Sequence, residues 1–200
     1  MTDIIETHPL KPFLPTNAKI LMLGSFPPPQ NRWKMNFYYP NFQNDMWRIF
    51  GLVFFQDKDH FLTADKQLFD QAKIEQFLQQ QGIAICDSGY KIIRQQGNAS
   101  DKFLQIVEPI DLTAVLAKIP QCKVLMTAGE KATETLLSLL PEKIKMPASG
   151  ESCEITIGQQ QYHLYRLPSS SRAYPLALNK KADIYRQFFI KEQILDISTI

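Results

Sequence analysis

The chain alternates short, wholly apolar runs with longer stretches in which apolar residues return every three or four positions. Lys19-Ile20-Leu21-Met22-Leu23 reads as a strand buried on both faces, and it stops at a Gly24-Ser25 turn. Ile83-Ala84-Ile85-Cys86-Asp87 and Lys123-Val124-Leu125-Met126-Thr127 have the same character. Between them the period becomes helical. Met46, Trp47, Ile49, Phe50, Val53 and Phe54 predict an amphipathic helix starting near Phe42 to Asn44, with Asn44 at its mouth. A second helix is predicted over 64–81 and closed by Gly82. Asp111 caps a third, which Pro120 ends, and a fourth runs from the Ala128-Gly129 turn to Pro141. The polar stretch 94–101 reads as a loop, and 178–194 as the final helix. Residues 153–157 and 162–167 flank Gly158-Gln159-Gln160-Gln161, as in a hairpin whose second arm joins the main sheet. Strands alternating with helices predict an α/β fold with a largely parallel sheet. In such a sheet the loops Leu23–Pro29 and Leu167–Pro175 leave strands at one edge, the carboxyl edge where open α/β folds bind ligands.

Composition narrows the class. With 200 residues, 44% hydrophobic and 21% charged, the chain fits one globular domain. Cys86, Cys122 and Cys153 lie far apart with no CxxC pairing, so they read as buried thiols and suggest neither a disulfide framework nor a metal site. The first residues have no basic and apolar leader pattern, and no apolar run reaches the ~20 residues that span a bilayer. A cytoplasmic protein is expected. A net charge of +2 is too mild for nucleic-acid binding through charge alone. Its distribution adds more: Arg32, Lys34 and Arg48 surround the first loop, and Arg172, Lys180, Lys181 and Arg186 follow the second. An ordinary solvated surface is the competing reading. His8, His60 and His163 read as surface or satisfied core residues, Trp47 as core, and Trp33 as a loop residue able to meet a substrate.

Four motifs in order then suggest a family: Gly24-Ser25-Phe26-Pro27, Tyr38-Tyr39-Pro40-Asn41-Phe42-Gln43-Asn44-Asp45-Met46-Trp47, Gly82-Ile83-Ala84-Ile85-Cys86-Asp87 with Thr127-Ala128-Gly129, and Leu167-Pro168-Ser169-Ser170-Ser171. Over residues 19–190 the chain resembles the uracil-DNA glycosylase superfamily, and within it the hypoxanthine-DNA glycosylase branch. The resemblance implies a single domain over 1–200, built as a three-layer α/β/α sandwich around a four-stranded, mainly parallel sheet in the order 2-1-3-4. It implies a monofunctional, monomeric DNA glycosylase of base excision repair, without metal or cofactor, whose partner is DNA carrying a deaminated base, hypoxanthine or uracil.

Such an enzyme must flip a nucleotide, hold its base, and position a water against a sugar of oxocarbenium character. Most of the superfamily orients that water from the polar third residue of the first motif, where this chain has Phe26. The hypoxanthine branch is also apolar there and uses the Asn that opens the next helix, which matches Asn44 as the catalytic residue. A helix cap is the plain alternative for Asn44. The resemblance places Gly24, Ser25, Phe26, Tyr38, Tyr39 and Asp87 in the base pocket. Tyr38 or Tyr39, with Phe37 next in line, would stack on the base; all three can equally pack under the loop. Asp87 would accept from a base N–H, or cap the following turn. Ser169, Ser170 and Ser171 would hold phosphates, with Arg172 or Tyr174 as wedge or clamp. Pro28 stands where the branch has Gly, and Asn41-Phe42 where it has His-Pro. These departures support an alternative reading, a nucleic-acid-binding member of the fold with weak or no catalysis. A hydrolase using a Ser nucleophile from 169–171 lacks the Gly-x-Ser-x-Gly elbow.

Overall fold

The computed structural model describes residues 4–95 and 100–196. Three wholly buried runs lie side by side in the main sheet: β2 (Ile20–Gly24), β3 (Ile83–Asp87) and β6 (Val124–Ala128). With every side chain inside, they take the positions a parallel sheet covers on both faces. β8 (Gln160–Leu167) extends the parallel set, and the four run β3-β2-β6-β8. Among the described residues the sheet nevertheless has five strands and is mixed, not four-stranded. β7 (Ser152–Ile157) folds back antiparallel on β8, because the hairpin that supplies β8 brings its other arm to the open edge.

Helices α1 (Met46–Phe55), α2 (Gln71–Gln81) and α5 (Leu178–Lys191) pack through aromatic rings. Phe50 meets Phe77 edge-on at 6.2 Å and Phe189 at 5.4 Å, and Phe54 lies 4.9 Å from Phe189. Trp47 is fully buried and donates through Nε1 to Tyr38 O at 3.1 Å. α3 (Leu112–Ala117) is capped by Asp111, whose side chain accepts from Ala114 N. α4 (Glu130–Ser138) follows β6 and packs on it.

The helix predicted over 64–81 begins only at Gln71. Thr63 Oγ1 and Gln67 N both donate to Asp65 Oδ1, and Lys66 stands at φ 57°, so 63–68 closes on itself as a turn. Short polar side chains that bond nearby backbone compete with the helix in this way. Asp70 then accepts from Lys73 N at 3.1 Å and starts α2. Gly82, at φ 66°, closes it as expected; a Cβ there would lie 2.7 Å from Asn17 O.

A second sheet, β1-β4-β5, was not predicted: β1 (Ile5–Thr7), β4 (Gly89–Arg94) and β5 (Leu104–Pro109), all antiparallel. The loop predicted from Arg94 therefore starts one residue late, and its residues 96–99 lie outside the described ones. Cys86 and Cys122 are buried as expected, but Cys153, on the edge strand, is only half-buried. Among the described residues no helix is long and apolar enough to cross a membrane.

Candidate active site

The two loops do meet. β2, β3, β6 and β8 end at one edge of the sheet, and over that edge opens a cleft of about 930 Å³, walled by the segments after β2, before α1 and after β8. Of the residues picked out by sequence, Gly24, Ser25, Phe26, Tyr39, Asn44 and Asp87 line it, and so do Ser169, Ser170, Ser171, Arg172 and Tyr174. Tyr38 does not. It is 2% exposed, donates to Lys11 O at 3.1 Å and lies beside the His8 ring, and Phe37 is also part of the core. Trp33 is not in the cleft wall either; its Nε1 donates to Pro28 O at 2.7 Å and braces the Pro-rich loop.

The floor is built by register. Gly24 and Asp87 face each other as the last pair of β2 and β3. A Cβ on Gly24 would lie 2.3 Å from Asp87 Oδ1 and 3.1 Å from the Tyr39 hydroxyl, so only glycine admits both groups. His8 Nε2 donates to Asp87 Oδ2 at 2.8 Å, and the edge of Phe26 packs against the His8 ring at 5.0 Å. Tyr39 stands at φ 53°, a strained conformation for a non-glycine residue that costs roughly 1–3 kcal/mol. Its hydroxyl is buried without a hydrogen-bond partner among the described residues, and burial and then Asp87 push it far above the usual phenol range. It therefore remains a proton donor.

Asn44 sits where the chain enters α1. Its Oδ1 accepts from Met46 N, the first residue of α1, at 2.9 Å, while Asp45 occupies the N-cap position itself. An amide oxygen has two lone pairs, and this bond uses one of them.

Behind the serine loop lies a charged cluster. Arg172 Nε donates to Asp45 Oδ1 at 2.9 Å and its Nη1 to Gln43, while Asp45 N donates to Ser170 O at 3.1 Å. Arg48 Nη1 lies 3.5 Å from the same carboxylate and donates to Phe42 O and Asn44 O. Lys181, 1% exposed, donates to Ser171 O at 2.6 Å. Burial lowers the affinity of both Lys181 and Arg48 for their protons, and Arg172 adds to this. Arg172 and Arg48 thus share the Asp45 carboxylate while Lys181 braces the serine loop, and of the three Arg172 lines the cleft, an excess of positive charge suited to an anion.

Sequence reasoning gave no site role to His8, Asp45 or Asp101, and named Lys181 only as one of the cations after the second loop. A further signal for Lys181 is its place within the buried stripe of α5 beside Ala182 and Tyr185. Among the described residues no three His, Cys, Asp or Glu side chains gather as a metal-binding group, and no His bonds to Ser169, Ser170 or Ser171.

No protein-family model matches the chain, and no curated protein does. Solved structures do match. One is the solution NMR structure of a candidate uracil DNA glycosylase from Methanosarcina acetivorans, 21% identical, with a TM-score of 0.59 over 92% of this chain and 98% of that one. The likeness is one of fold.

Proposed function

We propose that this protein is a DNA glycosylase of the uracil-DNA glycosylase superfamily, near its hypoxanthine branch, which hydrolyses the N-glycosidic bond of a flipped, deaminated base. The observation that carries the reading is the convergence on one cleft of Asn44, Tyr39 and Asp87 with the Ser169–Ser171 loop and its cationic backing. The fold likeness to a candidate uracil DNA glycosylase supports it. In this reading the base lies against Tyr39 and Phe26, with Asp87 accepting from a base N–H. The free lone pair of Asn44 Oδ1 orients the water that attacks C1′ as the bond to the base breaks. The serine loop and Arg172 hold the flanking phosphates, which positions the strand without reading its sequence. DNA is the partner, the chain acts as one domain and as a monomer in the cytoplasm, and it needs no metal or cofactor.

A second reading, a DNA-binding protein of the same fold without catalysis, is favoured by two observations: Asn44 Oδ1 already accepts from Met46 N, and Phe26 supplies no acceptor. One experiment separates the two. Oligonucleotides carrying a single hypoxanthine, uracil or xanthine are incubated with the protein, treated with alkali and examined for strand cleavage. Cleavage at the modified base is expected; DNA bound with every base retained would leave the binding reading.

A further inference from the structure

The floor of the cleft holds a second carboxyl group. Asp101 opens a 3-10 turn (Asp101–Phe103) just before β5, and its Oδ1 accepts from Ser25 Oγ at 2.6 Å. Its Oδ2 has no partner among the described residues, and both Asp101 and Ser25 line the cleft with Asp87. Asp87 is held as an acceptor by His8. We propose that Asp101 is the general acid of the reaction, passing a proton from Oδ2 to N7 of a purine as the C1′–N9 bond breaks. The inference rests on the glycosylase reading and narrows its substrate to bases with a basic N7, that is, oxopurines rather than uracil.

The argument begins with charge. A base leaving without a proton carries its bonding pair away as an anion, and here it would do so beside the Asp87 carboxylate. Of the cations that line the cleft, Arg172 is committed to Asp45, Arg166 to Pro147 O and Glu130, and Lys131 lies 3.8 Å from Glu134. A leaving base that has taken up a proton is neutral, and N7 is the most basic ring nitrogen left on an N9-substituted oxopurine. Of the groups that touch Asp87 on the floor, His8 Nε2 is bonded to it and the Tyr39 hydroxyl holds its proton too tightly. Asp101 is suited to the role. Burial, and after it the charge of Asp87, raise its carboxyl above the ordinary carboxylate value, against the opposing pull of the Ser25 hydrogen bond, Lys131 and Arg94. Neither cation is bonded to it: Arg94 is held by Glu6 and Pro27 O, and Lys131 lies 3.8 Å from Glu134. Two carboxyls in one site whose surroundings differ in this way divide into acid and acceptor.

The step balances. The Asp101 proton moves to N7, the C1′–N9 pair enters the purine ring, and the neutral base departs. The water held by Asn44 bonds to C1′ and releases a proton, and the carboxylate regains one from solvent. Net, DNA and water give an abasic site and free base.

The test is single-turnover release from oligonucleotides carrying hypoxanthine, 7-deazahypoxanthine or uracil, with the wild type and Asp101→Asn. The wild type should release hypoxanthine at least 100-fold faster than the 7-deaza base, which has no N7 acceptor. Asp101→Asn should slow hypoxanthine release by about 10²–10⁴-fold, the usual worth of a general acid. The wild-type rate should fall as pH rises through a break above the ordinary carboxylate range, and the variant should lose that fall. The inference is overturned if Asp101→Asn releases hypoxanthine at the wild-type rate, if the wild type cuts the two purines equally fast, or if the variant keeps the pH break. A wild type that releases uracil alone also overturns it, with the glycosylase reading intact. A wild type that releases no base overturns the glycosylase reading itself.

Discussion

Asn44 carries two roles that one pair of substitutions separates. Its Oδ1 accepts from Met46 N at 2.9 Å as a helix cap, and in the proposed reaction the second lone pair of the same oxygen orients the attacking water. Asn44→Ala removes both. Loss of a cap costs about 1 kcal/mol, which in a chain of this size lowers Tm by roughly 2–4 °C. Asn44→Ser keeps a short side-chain oxygen to accept from Met46 N, so its Tm should stay within about 1 °C of the wild type. The serine oxygen, however, is one bond nearer the backbone. A misplacement of about 1 Å in a positioning group is worth roughly 100-fold in rate. Both variants should therefore lose at least about 100-fold in single-turnover base release, while thermal unfolding distinguishes them and an electrophoretic binding assay finds DNA affinity nearly unchanged. A serine variant with wild-type rate would refute the water-orienting role and leave Asn44 as a cap alone. Rates that track the loss of Tm across the two variants would refute it as well.

Three further outcomes are expected. Gly24→Ala places a Cβ 2.3 Å from Asp87 Oδ1, so Asp87 must leave His8; the variant should lose about 1–3 kcal/mol in a denaturant titration and more than about tenfold in base release. Arg172→Ala should weaken DNA binding alike for every sequence tested and make the slope of log affinity against log salt shallower by about 0.9, the share of one phosphate contact on duplex DNA. The raised carboxyl of Asp101 contributes stability that is fully present below the ordinary carboxylate value and lost as pH rises through its folded value. Asp101→Asn should therefore unfold at progressively higher temperature relative to the wild type as pH is raised across that window; a constant difference in Tm would refute the shift.

Much of the site was legible because its loops are punctuated locally. Gly24-Ser25 ends a fully buried run, and Pro168 with its three serines ends a partly buried strand, so both could be assigned to strand ends from the sequence. Asn44 was legible as the mouth of α1 by its spacing from the first apolar positions. Tyr38 and Tyr39 were not separable. They are neighbours of one residue type, and only the left-handed backbone at Tyr39 sends one ring to the cleft and the other to the core. The turn at 63–68 was misread for a related reason, since apolar periodicity ran through Leu68 while Thr63 and Asp65 bonded the backbone around it.

By itself the sequence determined the buried strands, most of the helices and their order, because burial periodicity is a property of consecutive residues. It also determined that the loops after β2 and β8 open at one edge, since parallel strands joined by helices all end on the same side. The tertiary structure alone decided which side chains meet there. His8 bonds Asp87 across 79 positions, Ser25 bonds Asp101 across 76, and Arg172 bonds Asp45 across 127. Contacts at such separations follow from sheet register and from how loops cross over it. No local pattern encodes them, and in this cleft they bring two carboxyl groups and an arginine-backed serine loop to one edge of the sheet.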